Sequence, residues 1–165
     1  SLIKALLLVQ FIGLPAAFVF GAIASKTGPK RAILGALVVY CIVTRLASGM
    51  STEGHFMTLA ILVGCVQGGA QALSRSLFGS LIPQKKSAEF FGFFAVGEKF
   101  AGVLGPSLYA AIVFATGSPT AAIQWILVFF VVGGLLLTRV DVQAGRRAAR
   151  AADAEDETQR LALTR

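Results

Sequence analysis

Apolar residues run along this chain in stretches as long as a helix needs to cross a bilayer, roughly 20 residues for a hydrocarbon core about 30 Å thick. Five such stretches are bounded by charges, glycine or proline: Leu2 to Ala24, Ala32 to Met50, Phe56 to Ile82, Phe90 to Thr116 and Thr120 to Thr138. Gly13 and Pro15 interrupt the first, and the third and fourth are long enough to imply tilt or a protruding end. The predicted fold class is therefore an all-α polytopic membrane protein. The chain opens on Ser-Leu-Ile-Lys with its apolar character already established, and reads as the C-terminal part of something longer.

The connections alternate in charge. "SKTGPKR" holds Lys26, Lys30 and Arg31, "PQKKSAE" holds Lys85 and Lys86, and the end of the chain holds Arg139, Arg146, Arg147 and Arg150, whereas "STEGH" and "GSP" hold no lysine or arginine. By the positive-inside rule the basic loops and the C-terminus are expected to be cytoplasmic. The tail from Asp141 to Arg165 has a basic block, then an acidic one, and few large apolar residues; it is expected to be disordered or a short frayed helix.

Polar side chains at depth in a bilayer face a cavity or a partner, so their angular positions are informative. On the third helix, at about 100° per residue, Gly64, Gln67, Gly68, Gln71, Ser74, Arg75 and Gly79 share one side, with Leu62, Val66, Leu73 and Leu77 opposite. That polar side fits either a close helix contact, for which Gly64 and Gly68 have the small-xxx-small spacing, or a cavity wall contributed by Gln67, Gln71, Ser74 and Arg75. On the fourth helix Phe91, Phe94, Glu98, Gly102, Gly105 and Tyr109 share a face.

Arg75 lies seven residues before Ile82 and Glu98 eight after Phe90. In an antiparallel pair both sit roughly 10–12 Å below the same surface at about 1.5 Å per residue. Arg75 leans away from that surface and needs a partner, because helical side chains tilt toward the N-terminus. Lys99 leans toward water and is expected to snorkel. An Arg75–Glu98 pair is either static, holding two helices in register, or broken and remade during a cycle. Arg45 reads as buried with no evident partner, and Gln10 fits either a solute contact or the satisfaction of a carbonyl freed by Pro15.

Composition agrees with the pattern: 56% of residues are hydrophobic, 14% are charged and mean hydropathy is +0.77. The net charge of +7 follows the loops and tail rather than a phosphate-binding face, so no nucleic acid is expected as a partner. Cys41 and Cys65 lie within apolar runs and read as small buried thiols. His55 is the sole histidine and falls in a short loop, which leaves no Ser/His/Asp triad and no histidine-rich metal site. No enzyme activity, metal or cofactor is expected.

"GAIASKTGPKRAIL" resembles the loop signature of the major facilitator superfamily through Gly21, Lys26, Gly28, Lys30 and Arg31, with Ser25 where that signature usually has Asp. "GVLGP", Gly102 to Pro106, is similar to the glycine-proline element of that superfamily. Together "GGAQALSRSLFGSLIP" and "AEFFGFFAVGEKFAGVLGP" resemble its vacuole effluxer branch, whose fungal members export amino acids from the vacuole and whose bacterial members are mostly uncharacterised permeases.

The resemblance covers nearly all of residues 1 to 140 and implies the eighth to twelfth helices of a twelve-helix transporter that alternates access by rocking two halves. It implies a secondary transporter of small polar solutes, amino acids above all, with Gln67, Gln71, Ser74 and Arg75 on the solute side and Arg75 with Glu98 as gate or coupling pair. Gly64, Gly68, Gly102, Gly105 and Pro106 are then helix-packing positions. The partners implied are the solute, membrane lipid and the N-terminal half of the same protein, in a bacterial inner membrane or an organellar, vacuolar one. The alternative is a membrane scaffold or sensor that keeps the fold without transporting.

Overall fold

The computed structural model describes residues 2–50 and 52–163, which form six helices: α1 (Leu2–Thr27), α2 (Pro29–Ala47), α3 (Glu53–Gly79), α4 (Ser87–Thr116), α5 (Pro119–Arg139) and α6 (Val142–Leu163). A single 3-10 turn, Gln84–Lys86, leads into α4. The helix ends follow local chemistry. Gly28, at φ 88°, makes the sharp break between α1 and α2, a backbone conformation costly for residues with a Cβ, and Pro29 then starts α2 without needing its missing N–H. The Thr52 side chain accepts from the His55 N–H at the start of α3, so the lone histidine belongs to a capped first turn. Gly117, at φ 67°, ends α4 in the left-handed conformation, and Ser118 with Pro119 opens α5.

Helices extend past several of the boundaries drawn from apolar runs, since backbone hydrogen bonding continues into the capped, wetter ends while hydropathy does not. Among the described residues four segments are long and apolar enough to cross a membrane: Val9–Thr27, Glu53–Gly79, Gln84–Thr116 and Pro119–Arg139. The expected second span, now α2, is not among them, because Lys30 and Arg31 in its first turn and Arg45 in its last dilute its 19 residues.

In packing, α1 lies along α3, α2 sits between α3 and α5, and α4 rests mainly on α5. The core lies where the basic ends of the helices converge: Ala24 from α1, Ala32 and Ile33 from α2, and Leu73 and Leu77 from α3 are buried together, with Phe20, Leu81, Leu137 and Val142 against them. Leu73 and Leu77 come from the apolar side of α3. Helix α4 has no buried residue, and Phe114 near its end is 95% exposed, as expected of a helix meeting lipid or the remainder of a larger protein.

The tail corrects the expectation of disorder, for α6 is a continuous helix docked on the basic end. Asp141 caps it, its Oδ1 accepting from the Gln143 and Ala144 N–H groups at 2.9 and 3.0 Å. Arg146 Nε donates to Ser80 Oγ at 3.2 Å, the Gln84 N–H donates to Asp153 Oδ2 at 3.2 Å, and Lys85 approaches Asp156 at 3.9 Å. Gly145 lies against Leu81 so closely that a Cβ there would come 2.7 Å from Leu81 Cδ2. Composition alone underrates such a segment, because its order comes from a cap and from a surface supplied by distant residues.

The two N–H groups bonded to Asp141 hold its carboxyl below the usual carboxylate range. Since the folded pKa is the lower one, its contribution is complete above that range and is lost as pH falls through it. Hydrogen-exchange protection of the first turn of α6 should therefore decline on acidification below about pH 4, and Asp141→Asn, which keeps a capping oxygen, should flatten that decline.

Candidate functional site

Helices α3 and α4 meet chiefly through side chains, and an ion pair is the centre of that meeting. Arg75 Nη2 donates to both carboxylate oxygens of Glu98 at 3.0 Å each. The structure thus brings together the two residues matched in depth. A single guanidinium nitrogen makes both bonds, without the two-armed fork that gives arginine–carboxylate pairs their rigidity. The side chains are 59% and 44% exposed, so the pair is far from a sealed internal bridge and is screened wherever water reaches it.

An aromatic cluster braces the same junction on the side toward the basic loops. Phe78 of α3 packs against Phe91 and Phe94 of α4 with ring centroids 5.5 and 4.9 Å apart, and Phe91 and Phe94 lie edge-on at 6.2 Å. Phe91 and Phe94 are part of the shared face read from the sequence; their partner Phe78 is not, since the spacing within α4 says nothing about which residue of α3 they meet.

Beside the pair is a cavity of about 430 Å³ lined by Tyr40, Gln67, Gln71, Ser74, Glu98 and Phe130. Tyr40 and Phe130 stack with centroids 5.1 Å apart and an interplanar angle of 14°, closing the wall between α2 and α5. No sequence signal marks these two rings, which lie in separate apolar runs and meet only through helix packing. A second cavity of about 280 Å³ opens between α1 and α3 and is lined by Gln10, Gly13, Ala17, Gln67, Gly68 and Gln71. Gln67 and Gln71 border both. A larger crevice of about 500 Å³ between α4 and α5 is walled by Leu104, Leu108, Tyr109, Trp125, Ile126 and Phe129, and its apolar character offers little to a polar solute.

The α1–α3 seam divides the expected packing glycines. A Cβ on Gly64 would stand 3.0 Å from Val9 Cα, and one on Gly68 would overlap the Gly13 carbonyl, so these two hold the backbones in near contact. Packing and cavity lining are therefore both realised on the polar side of α3, by the glycines and the amides respectively. At Gly102 and Gly105 nothing among the described residues lies within 4 Å of a built Cβ, and Pro106 is exposed within α4. The close contacts of their face with α3 lie nearer the start of α4, at Phe91, Phe94 and Glu98. Arg45 is likewise exposed rather than buried, in the last turn of α2, where a cation suits the negative end of the helix. Lys99 is exposed.

In the basic loop, Gly28 takes its positive φ and Lys30 reaches across to α5, its Nζ donating to the Thr138 and Val140 carbonyls at 3.0 and 2.7 Å. Those carbonyls are at the C-terminal end of a helix and lack helical partners, so the lysine satisfies them while complementing the helix dipole. Gly21 has open space around it, and Lys26 and Arg31 are exposed. Among the described residues no group of three or more His, Cys, Asp and Glu side chains is placed to hold a metal.

Residues 1–150, bearing this loop, the ion pair and both amide-lined cavities, match the family model described as vacuole effluxer Atg22 like. The chain belongs to this family. It is 37% identical over 140 residues to an uncharacterised MFS-type transporter, YxiO, of Bacillus subtilis, covering 85% of this chain and 33% of that protein. It is 35% identical over 108 residues to autophagy-related protein 22-1 of Phaeosphaeria nodorum, covering 65% and 19% of the two chains. Autophagy-related protein 22 of Kluyveromyces lactis is 34% identical over 102 residues, covering 62% and 21%. The chain spans about a third of the bacterial relative and about a fifth of the fungal ones. No solved structure matches it significantly. Membership of the vacuole effluxer family makes this an all-helical, multi-pass membrane chain of the major facilitator type.

Proposed function

We propose that the full-length protein is a secondary active transporter that moves small polar solutes, amino acids in the first place, by alternating access. The observation that carries this reading is the Arg75–Glu98 contact across the α3–α4 junction, beside a cavity edged by Gln67, Gln71 and Ser74. A zwitterionic solute carries a carboxylate and an ammonium, and the pair offers a counter-charge to each. Binding would exchange the internal contact for two contacts to the solute, and the one-nitrogen, partly exposed geometry suits a bond that is made and broken. Protonation of Glu98 would release Arg75 in the same way, giving a route for coupling to a proton gradient. The bacterial inner membrane is the proposed location, with the basic loops and α6 on the cytoplasmic side.

The test is efflux of a labelled amino-acid mixture from proteoliposomes holding the full-length protein, with and without an imposed pH gradient. Protein-dependent efflux is the expected result, and a gradient effect beyond that on protein-free liposomes would support coupling. No efflux in either condition, and none of other small polar solutes, would favour a non-transporting scaffold or sensor built on the same fold.

A further inference from the structure

We propose that Gln10 is a third solute-contacting amide, forming with Gln67 and Gln71 an uncharged recognition cleft distinct from the ion pair; this deepens the transport reading and rests on it. The cleft is a product of the glycine seam. Gly64 against Val9 and Gly68 against Gly13 repeat the same register offset, as two parallel helices in near backbone contact require. That approach draws the flanking stripes together. On α1 the stripe is Gln10, Leu14 and Ala17, one helical turn apart, and on α3 it is Gln67 and Gln71, so three amides border one cavity of about 280 Å³.

The alternative role for Gln10, satisfying the carbonyl freed by Pro15, is not the one adopted. None of the side-chain hydrogen bonds among the described residues ties Gln10 back to α1; its side chain is exposed and borders the cleft. Gln10 lies within the apolar run Leu2 to Ala24, where an amide left facing hydrocarbon is costly and one facing water or solute is not. Each glutamine amide donates through its NH₂ and accepts through its carbonyl. Three of them, with no carboxylate or cation among the described residues lining the cleft, suit an uncharged group that both donates and accepts, such as a hydroxyl or carboxamide, and leave recognition of charge to Arg75 and Glu98. Gln67 and Gln71, which border both cavities, link the two kinds of recognition.

The experiment uses full-length protein in proteoliposomes. Wild type and Gln10→Leu are compared for efflux of the labelled amino-acid mixture across concentrations. Loss of one solute hydrogen bond should raise the half-saturating concentration roughly 2- to 10-fold with little change in maximal rate. In parallel, Gln10→Cys and Phe11→Cys are made in a background lacking other cysteines and treated with a membrane-impermeant cationic thiosulfonate. Reaction at Gln10→Cys that the amino-acid mixture slows, with no such protection at Phe11→Cys, whose native side chain is 75% exposed and does not line the cleft, supports the proposal. An active wild type with unchanged half-saturation in Gln10→Leu overturns it alone. If Gln10→Leu does not fold, Gln10→Cys decides: no reaction, or reaction that the solute slows no more than at Phe11→Cys, overturns it. Wild type without any efflux sinks the transport reading, and this inference with it.

Discussion

Arg75→Gln is expected to lower amino-acid efflux from proteoliposomes of the full-length protein by one to two orders of magnitude while leaving the protein monodisperse in detergent. A hydrogen bond to a charged group is worth about 1.5–3 kcal/mol, or roughly 10- to 150-fold in a rate that depends on it. The exposure of Arg75 and Glu98, 59% and 44%, puts the pair below that range in folding stability, at about 0–1 kcal/mol, because water already solvates both groups. The solute would feel the loss more fully if closure of the cavity around it expels that water.

The paired reversal, Arg75→Glu with Glu98→Arg, separates the two roles the pair can play. A static bridge tolerates exchange of its ends, so rates should return toward wild type. A site that meets the solute's carboxylate and ammonium in a fixed order does not, and the doubly reversed protein should stay inactive although the bridge is restored. Glu98→Gln completes the set, since it should remove any effect of the pH gradient if this carboxylate carries the proton. An Arg75→Gln protein that transports at the wild-type rate would remove the pair from the mechanism.

Gly68→Val is expected to give the largest loss of stability of any single change along the α1–α3 seam. A Cβ at this position overlaps the Gly13 carbonyl, a backbone atom that cannot rotate away as a side chain would. Relief requires the helices to separate along a seam that also includes Gly64 and Val9, and overpacking of this kind costs about 1–3 kcal/mol or more. For a chain of this size that corresponds to a fall in Tm of roughly 2–12 °C. Gly35→Val is the control, because a Cβ on Gly35 meets nothing within 4 Å. Equal melting temperatures for the two variants would show that the seam does not need glycine. Separation of α1 from α3 should also move Gln10 away from Gln67 and Gln71, so a folded Gly68 variant is expected to lose solute affinity as well.

Much of the candidate site was legible before any coordinates. Arg75 and Glu98 could be matched in depth because a helix rises by a constant amount per residue and a membrane supplies a common reference plane. Gln67, Gln71 and Ser74 could be placed on one side of α3 because helical periodicity is local. Gly64 and Gly68 carried a packing signal in their spacing, whereas Gly102 and Gly105 were placed by the resemblance, and nothing among the described residues comes within 4 Å of a Cβ built on either. Spacing reports that a helix could be approached, and it is silent on what approaches it. Arg45 was misplaced for a related reason: the sequence put it inside an apolar run, whereas α2 ends at Ala47 and leaves the guanidinium exposed in the last turn.

The amino-acid sequence by itself determined the solvent, the helical class, the charge asymmetry of the loops, and the polar side of α3, all of which depend on composition or on periodicity within one segment. Only the tertiary structure decided that Tyr40 stacks on Phe130, that Gln10 borders the cleft of Gln67 and Gln71, that Lys30 caps α5, and that α6 is ordered against Ser80 and Gln84. Each of these joins residues from different helices. The register between helices is set by the sum of many small packing contacts, and no repeat within a single helix encodes it.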